Sequence, residues 1–235
     1  YALKKVFSKD VATAHLEGLI HLHDLGQVTK SYCSAHSLRS IAMYGLGKFF
    51  GFDVKSNPPK NARALIGQLN TFMCSIAHFF AGAIGIDFVN VYIAPYLAGL
   101  TYKEIKQNAQ HLIFTLSQSA FSRGGQVLFS DINCHICIPD WLKLVPAVGS
   151  NGKFIEYIDY QGKEITEKNW RDILKFDYED TFEDVLKAAK EKRCGLEIKN
   201  KTYAHFEKES NLFLKAMLEV YKDGDASGSP FAFPK

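Results

Sequence analysis

Apolar residues recur at helical spacing over two long stretches of the chain. Between 59 and 82, Leu65, Leu69, Phe72, Met73, Ile76 and Phe80 fall on one stripe. Almost no charge follows Arg63, which predicts a helix buried on most of its sides. From Thr101 onward, Ile105, Ala109, Leu112, Ile113 and Leu116 make a second stripe, and Thr101 and Glu104 stand at capping-box spacing. Two charged amphipathic helices are predicted later. One covers 180–193 on Phe182, Val185 and Leu186, and the other covers 203–222 on Phe206, Phe213, Met217 and Val220. Shorter helical pieces are expected over 9–17, closed by Gly18, and around Leu38, Ile41, Ala42 and Tyr44. Asn57-Pro58-Pro59 reads as a loop and helix start.

Period-two patterning is sparser. Residues 126–138 read as a strand carrying Val127, Phe129, Ile132, Ile136 and Ile138. Residues 149–164 read as a hairpin, its alternating strand at 153–160 and its turns at Asn151-Gly152 and Gln161-Gly162. Helices alternating with short strands argue an α/β fold with helices packed outside a sheet or barrel. With no linker in view, residues 1–235 are expected to form a single domain. The polar stretch 141–180 is its least regular part and reads as an insertion.

Composition narrows the class. The 235 residues carry 28 Lys+Arg against 25 Asp+Glu, a formal charge of +3. That balance gives no case for nucleic-acid or membrane-surface binding. No apolar run reaches 18 residues, so no membrane-spanning helix is expected. The N-terminal residues lack the apolar core of a secretion signal, because Lys4, Lys5, Lys9 and Asp10 interrupt it. Five cysteines, an odd number, argue against a disulfide scaffold and for a reducing, cytoplasmic setting. Both ends read as internal to a longer chain.

Four places carry candidate chemistry. In His21-Leu22-His23-Asp24, two histidines two apart on a strand would share a face. With Asp24 they would either bind a metal or hold a turn by hydrogen bonds. Cys33, in Ser31-Tyr32-Cys33-Ser34, is either a packed thiol or a redox group. Cys134-His135-Ile136-Cys137 has C-x-x-C spacing, but in a strand residues three apart face opposite sides, and no second pair follows. No metal site is therefore assigned. Ser122-Arg123-Gly124-Gly125-Gln126 joins a helix to a strand. Its glycines would let backbone N–H groups approach a ligand, and its Arg suits phosphate. An ordinary turn with a surface Arg explains the same residues equally well.

Taken in order, the segments resemble the anaerobic (class III, glycyl-radical) ribonucleoside triphosphate reductases. The matching stretches begin with residues 15–25, Tyr32-Cys33 through Leu38-Arg39, and Asn57-Pro58-Pro59-Lys60 with Arg63, Gln68 and Asn70. Residues 90–96 follow, then the densest match, 122–133, and finally Glu219-Val220 through Pro230-Phe231-Ala232-Phe233-Pro234. Residues 146–200 match least.

The resemblance implies a ten-stranded α/β barrel around a finger loop, of which this chain would form part. It implies a glycyl radical made by a radical-SAM activating enzyme and a thiyl radical that abstracts the substrate 3′-hydrogen. A second cysteine then helps reduce C2′, with formate or a thiol redox system as reductant. Cys33 falls at that second cysteine, as hydrogen donor. Ser122, Arg123, Gly124, Gly125, Gln126, Ser130 and Asn133 become candidates for binding substrate and shaping the barrel wall, and His21, His23 and Asp24 for supporting the first strand. Ribonucleoside triphosphates as substrates, ATP and deoxynucleotides as effectors, and a homodimer are implied as partners.

The finger-loop cysteine, the Arg-x-x-Gly-Tyr radical motif and the four-cysteine zinc site are expected beyond Lys235, so these residues alone are expected to be inactive. Where the family has a Gln-rich run, this chain reads Ile76-Ala77-His78-Phe79-Phe80-Ala81-Gly82-Ala83. Three other readings compete: a glycyl-radical enzyme of the formate-lyase kind, a non-catalytic nucleotide-binding or assembly module, and a small metal-binding protein using Cys134, His135 and Cys137.

Overall fold

The structure is a computed structural model that describes residues 1–47, 55–118 and 127–235. In chain order it runs α1 (Ala2–Lys5), α2 (Lys9–Leu16), β1 (Ser34–Ser37), α3 (Leu38–Tyr44), α4 (Ala62–Ile76), β2 (Ile84–Asp87), α5 (Val89–Ile93) and α6 (Tyr102–Ser117). It continues through β3 (Ser130–Ile132), α7 (Asp140–Lys143), β4 (Glu156–Tyr160), β5 (Lys163–Ile165), α8 (Trp170–Ile173), α9 (Phe182–Lys190), β6 (Leu196–Asn200) and α10 (Glu207–Asp223). The expected α/β mixture is present, as two small sheets with helices.

The first sheet is parallel, in the order β1-β2-β3. Ser34 pairs with Ile84 and Ile84 with Ser130, so the three strands run level. Parallel neighbours need long crossovers. α3 and α4 supply the first of these, and α5 and α6 the second. The chain end adds to the same sheet. Lys235 N–H donates to the Ser130 carbonyl at 3.0 Å and Ile132 N–H to the Lys235 carbonyl at 2.8 Å.

Helix placement follows the apolar stripes. α4 starts where the Asn61 side chain accepts the Ala64 N–H at 2.9 Å, and it buries Leu65, Leu69, Phe72 and Met73. It ends sooner than its stripe suggests. After Ile76 comes one 3-10 turn, Ala77–Phe79, and then extended chain. The reason is tertiary: Phe80 bridges Ser31, and Ala81 N–H donates to the Ser31 carbonyl at 2.9 Å, so these residues are drawn into the sheet. α6 has the expected capping box, with Thr101 N–H on Glu104 Oε2 at 2.7 Å and Glu104 N–H on Thr101 Oγ1 at 3.4 Å. Thr101 holds the Glu104 carboxyl below its ordinary pKa. α10 lies along α6 and buries Phe213, Ala216, Met217 and Val220, each large apolar side chain contributing about 1.5–3 kcal/mol.

The expected strand over 126–138 is shorter in the structure. Gln126 lies outside the described residues, Val127, Leu128 and Phe129 are not in a strand, and β3 ends at Ile132. Beyond it a side chain takes over the ladder. The Asn90 amide donates to the His135 carbonyl at 2.7 Å and accepts the His135 N–H at 2.9 Å. The strand expected at 21–23 is also absent, and those residues are irregular. The Leu22 N–H goes to His15 Nδ1 at 3.2 Å instead of to a neighbouring strand.

Residues 141–180 are more regular than their composition suggests. β4 pairs antiparallel with β5 and β6, and Gln161-Gly162 turns the hairpin with φ of 50° and 81°, the two positive values a tight two-residue turn needs. This sheet has its own apolar cluster of Ile158, Ile165, Trp170, Leu174, Val185, Ala188, Ala189 and Leu196. The larger cluster lies between the parallel sheet and α3, α4, α6 and α10.

Candidate functional site

Strand alternation gives the parallel sheet two unlike faces. Ile84, Ile86 and Ser130 are buried toward the helices. Ser34 and His36 share that side: His36 Nε2 and Ser34 Oγ are 2.8 Å apart, and the imidazole meets the Phe72 ring of α4 edge-on at 5.1 Å. Burial there lowers the His36 pKa. On the other side stand Ala35, which is exposed, Gly85, Asp87 and Asp131, which are partly so, and Asn133 just past β3. Small side chains on β1 and β2 leave space above the middle of that face.

Cys33 precedes β1 and is exposed. Its sulfur accepts the Ala83 N–H at 3.2 Å, while Gly82 N–H donates to the Tyr32 carbonyl and Ser34 N–H to the Ala83 carbonyl at 3.1 Å. The thiol is therefore held against the start of β2, not free in solvent.

The far end of the same face is closed by polar pairing. Asn133 Nδ2 donates to Asp87 Oδ1 at 2.8 Å, Asn133 N–H to the Ile86 carbonyl at 2.9 Å, and Val89 N–H to the Asn133 carbonyl at 3.0 Å. Phe88, between Asp87 and Val89, is left-handed with φ of 54°, a conformation costing a bulky residue about 1–2 kcal/mol. Its ring stacks on His135 at 4.2 Å and meets Trp141 edge-on at 5.3 Å, which holds it there.

The candidate residues thus divide. Cys33 and Asn133 border the open face. Ser130 lies beneath it, 1% exposed, with an unpartnered hydroxyl. Ser122, Arg123, Gly124, Gly125 and Gln126 fall outside the described residues. His21, His23 and Asp24 are exposed in the irregular segment before β1; the two imidazoles meet at 4.6 Å, and His21 lies 5.8 Å from His15. Cys134 and Cys137 follow β3 in irregular chain, contrary to the strand expected there, yet still face apart. Cys134 packs near Met217 Sδ at 4.0 Å, with burial raising its pKa to about 11, and Cys137 is exposed. Among the described residues no group of three or more His, Cys, Asp or Glu could hold a metal ion. No helix among them is long and apolar enough to cross a membrane.

Sequence reasoning missed Gly82, Ala83 and Asp87. The one signal for the first two was a glycine between small residues at the mouth of an apolar strand.

A family model described as "Anaerobic ribonucleoside-triphosphate reductase" matches residues 1–235. The chain belongs to this family. Among solved structures it is similar to the anaerobic ribonucleotide reductase from Thermotoga maritima with citrate in the active site, at 19% identity and a TM-score of 0.58 over 99% of this chain and 34% of that one. The same enzyme in complex with dATP and CTP matches at 18% identity and a TM-score of 0.57, over 94% and 31%. At these identities the likeness establishes the fold. The chain spans about a third of the length of those structures. Comparison with curated proteins gave no match.

Proposed function

We propose that this chain supplies part of the catalytic barrel of an anaerobic ribonucleoside triphosphate reductase, which makes deoxyribonucleotides for DNA synthesis in the cytoplasm. The observation that carries the reading is the family match over all 235 residues, joined to a parallel sheet that leaves one small-residue face open beside Cys33. In the ten-stranded barrel we propose, that face lines the interior, since parallel sheets are ordinarily covered on both sides.

The residues fit such a role. Cys33 presents its sulfur at the rim of the face, anchored by one backbone N–H. From there it would give its hydrogen to a substrate carbon on the side opposite the radical cysteine. Holding a donor at fixed distance lowers the entropic part of the barrier. A glycyl radical, when present, would supply the unpaired electron, with formate or a thiol system as reductant; the radical site and a four-cysteine zinc site are proposed to lie outside these residues. Asn133 offers an amide oxygen at the opposite rim for the nucleotide. Ser122, Arg123, Gly124, Gly125 and Gln126 are proposed to approach its phosphates, Ser130 to shape the wall from below, and His21, His23 and Asp24 to support the chain entering β1. Nucleoside triphosphate substrates, ATP and deoxynucleotide effectors, a radical-SAM activating enzyme and a second copy of the chain are the proposed partners.

The test is Cys33→Ser in the full-length reductase with its activating enzyme. Nucleotide reduction should fall to background while the glycyl-radical signal and nucleotide binding persist. Undiminished reduction would remove Cys33 from the mechanism.

A further inference from the structure

The pairing of β1 with β2 changes offset next to Cys33. Ser31 bridges Phe80, an offset of 49, whereas Ser34 pairs with Ile84, an offset of 50. Two residues, Tyr32 and Cys33, therefore oppose three: Ala81, Gly82 and Ala83. This is a β-bulge on the β2 side, a feature that re-aims side chains. Around it the hydrogen bonds run Ala81 N–H to the Ser31 carbonyl, Gly82 N–H to the Tyr32 carbonyl, and Ser34 N–H to the Ala83 carbonyl. The remaining donor, Ala83 N–H, does not go to a backbone carbonyl of 31–34. It goes to the Cys33 sulfur at 3.2 Å.

Gly82 makes room for this arrangement. A Cβ on Gly82 would stand 2.5 Å from Cys33 Sγ and 2.7 Å from the Tyr32 carbonyl oxygen. The second of these is backbone inside the sheet and cannot swing away, so the sulfur or the strand must move. Gly85, three residues on and inside β2, differs: a Cβ there would meet nothing nearer than 3.5 Å, ordinary contact. Only one of these two glycines is required by close approach, and it is the one beside the thiol.

We infer that the bulge at Ala81, Gly82 and Ala83 is a positioning device for Cys33, with Gly82 as its positioning residue. The extra residue releases one N–H from the ladder to fix the sulfur, and the missing side chain sets how close the sulfur sits to β2. With a lone pair engaged by Ala83, the S–H is directed away from β2, over the open face. This rests on the reading of Cys33 as hydrogen donor given above.

The experiment compares Gly82→Ala and Cys33→Ser with wild type in the full-length, activated reductase. Gly82→Ala should lower kcat by about 10²-fold, the scale for a reacting group displaced by about 1 Å, with KM for nucleotide within about twofold of wild type. Its glycyl-radical signal should be unchanged. Iodoacetamide labelling of Cys33, read by mass spectrometry against exposed Cys137 in the same sample, should change at least threefold. Gly85→Ala serves in the labelling assay alone, where its Cys33-to-Cys137 ratio should match wild type. If Gly82→Ala keeps wild-type kcat and labelling ratio, or if Gly85→Ala shifts the ratio as much, the inference is wrong. If Cys33→Ser itself sustains nucleotide reduction, it is the functional reading of Cys33 that fails, and the labelling ratio still judges the bulge.

Discussion

Asn133 Nδ2 donates to Asp87 Oδ1 across 2.8 Å, so a side-chain bond joins the backbone bonds of Asn133 in tying the ends of β3 and β2 together. Asn133→Ala removes the donor and leaves the Asp87 carboxylate one partner short. We expect a loss of about 1 kcal/mol, a fall in melting temperature of about 2–4 °C for a chain of this size, together with a raised KM for nucleotide. Thermal unfolding and initial-rate kinetics check the two effects separately.

Asn90 makes three side-chain hydrogen bonds inside the core. Fully buried, it serves both His135 backbone groups and donates to Ser210 Oγ at 2.8 Å. Asn90→Ala strands those groups away from water, and a loss of about 3 kcal/mol is expected. A urea midpoint indistinguishable from wild type would contradict this. Phe213→Ala, at an equally buried site between α10 and the core, should cost about 3–5 kcal/mol through lost apolar burial together with the cavity left behind.

His36 gives the fold a pH dependence of definite sign. Its folded pKa lies below the ordinary 6.5 because burial penalises the imidazolium. The unfolded chain therefore binds a proton before the folded one does, and stability falls as pH drops below about 6.5. His111, lowered by burial and by Arg63, acts in the same direction. Urea midpoints between pH 7.5 and 5.5 should decline, and His36→Phe should make the slope shallower.

The cysteines should separate by alkylation rate. Cys134 is packed near Met217 with its pKa raised to about 11, so little thiolate forms at pH 8. Cys137 and Cys194 are exposed and should label first. Equal labelling of Cys134 and Cys137 in the folded protein would contradict the buried placement.

Much of this fold was legible in the sequence, and the exceptions share a cause. α6 begins at Thr101 because its cap, its charge and its apolar stripe all agree. The hairpin turn at Gln161-Gly162 was legible because local chemistry decides it. α4 stopped short of its stripe because Phe80 and Ala81 are claimed by Ser31, in the segment just before β1, a partner some 50 residues away that no local pattern announces. β3 came out shorter than its alternation because Asn90, a helix residue, substitutes for a neighbouring strand at His135. At the candidate site, Cys33 was found from family resemblance, whereas its seat on Gly82 and Ala83 depends on a register offset that exists only once two strands are paired.

The separate apolar cluster around Trp170 has a dynamic consequence. It shares no residue with the core beneath the parallel sheet. Cooperative units of opening follow contiguous buried contacts. Amide protons of β4, β5 and β6 can therefore exchange through an opening that leaves β1 and β2 shut. Sequence drift in that outer layer then alters how long it stays closed, while the thiol keeps its distance from the rest of the sheet.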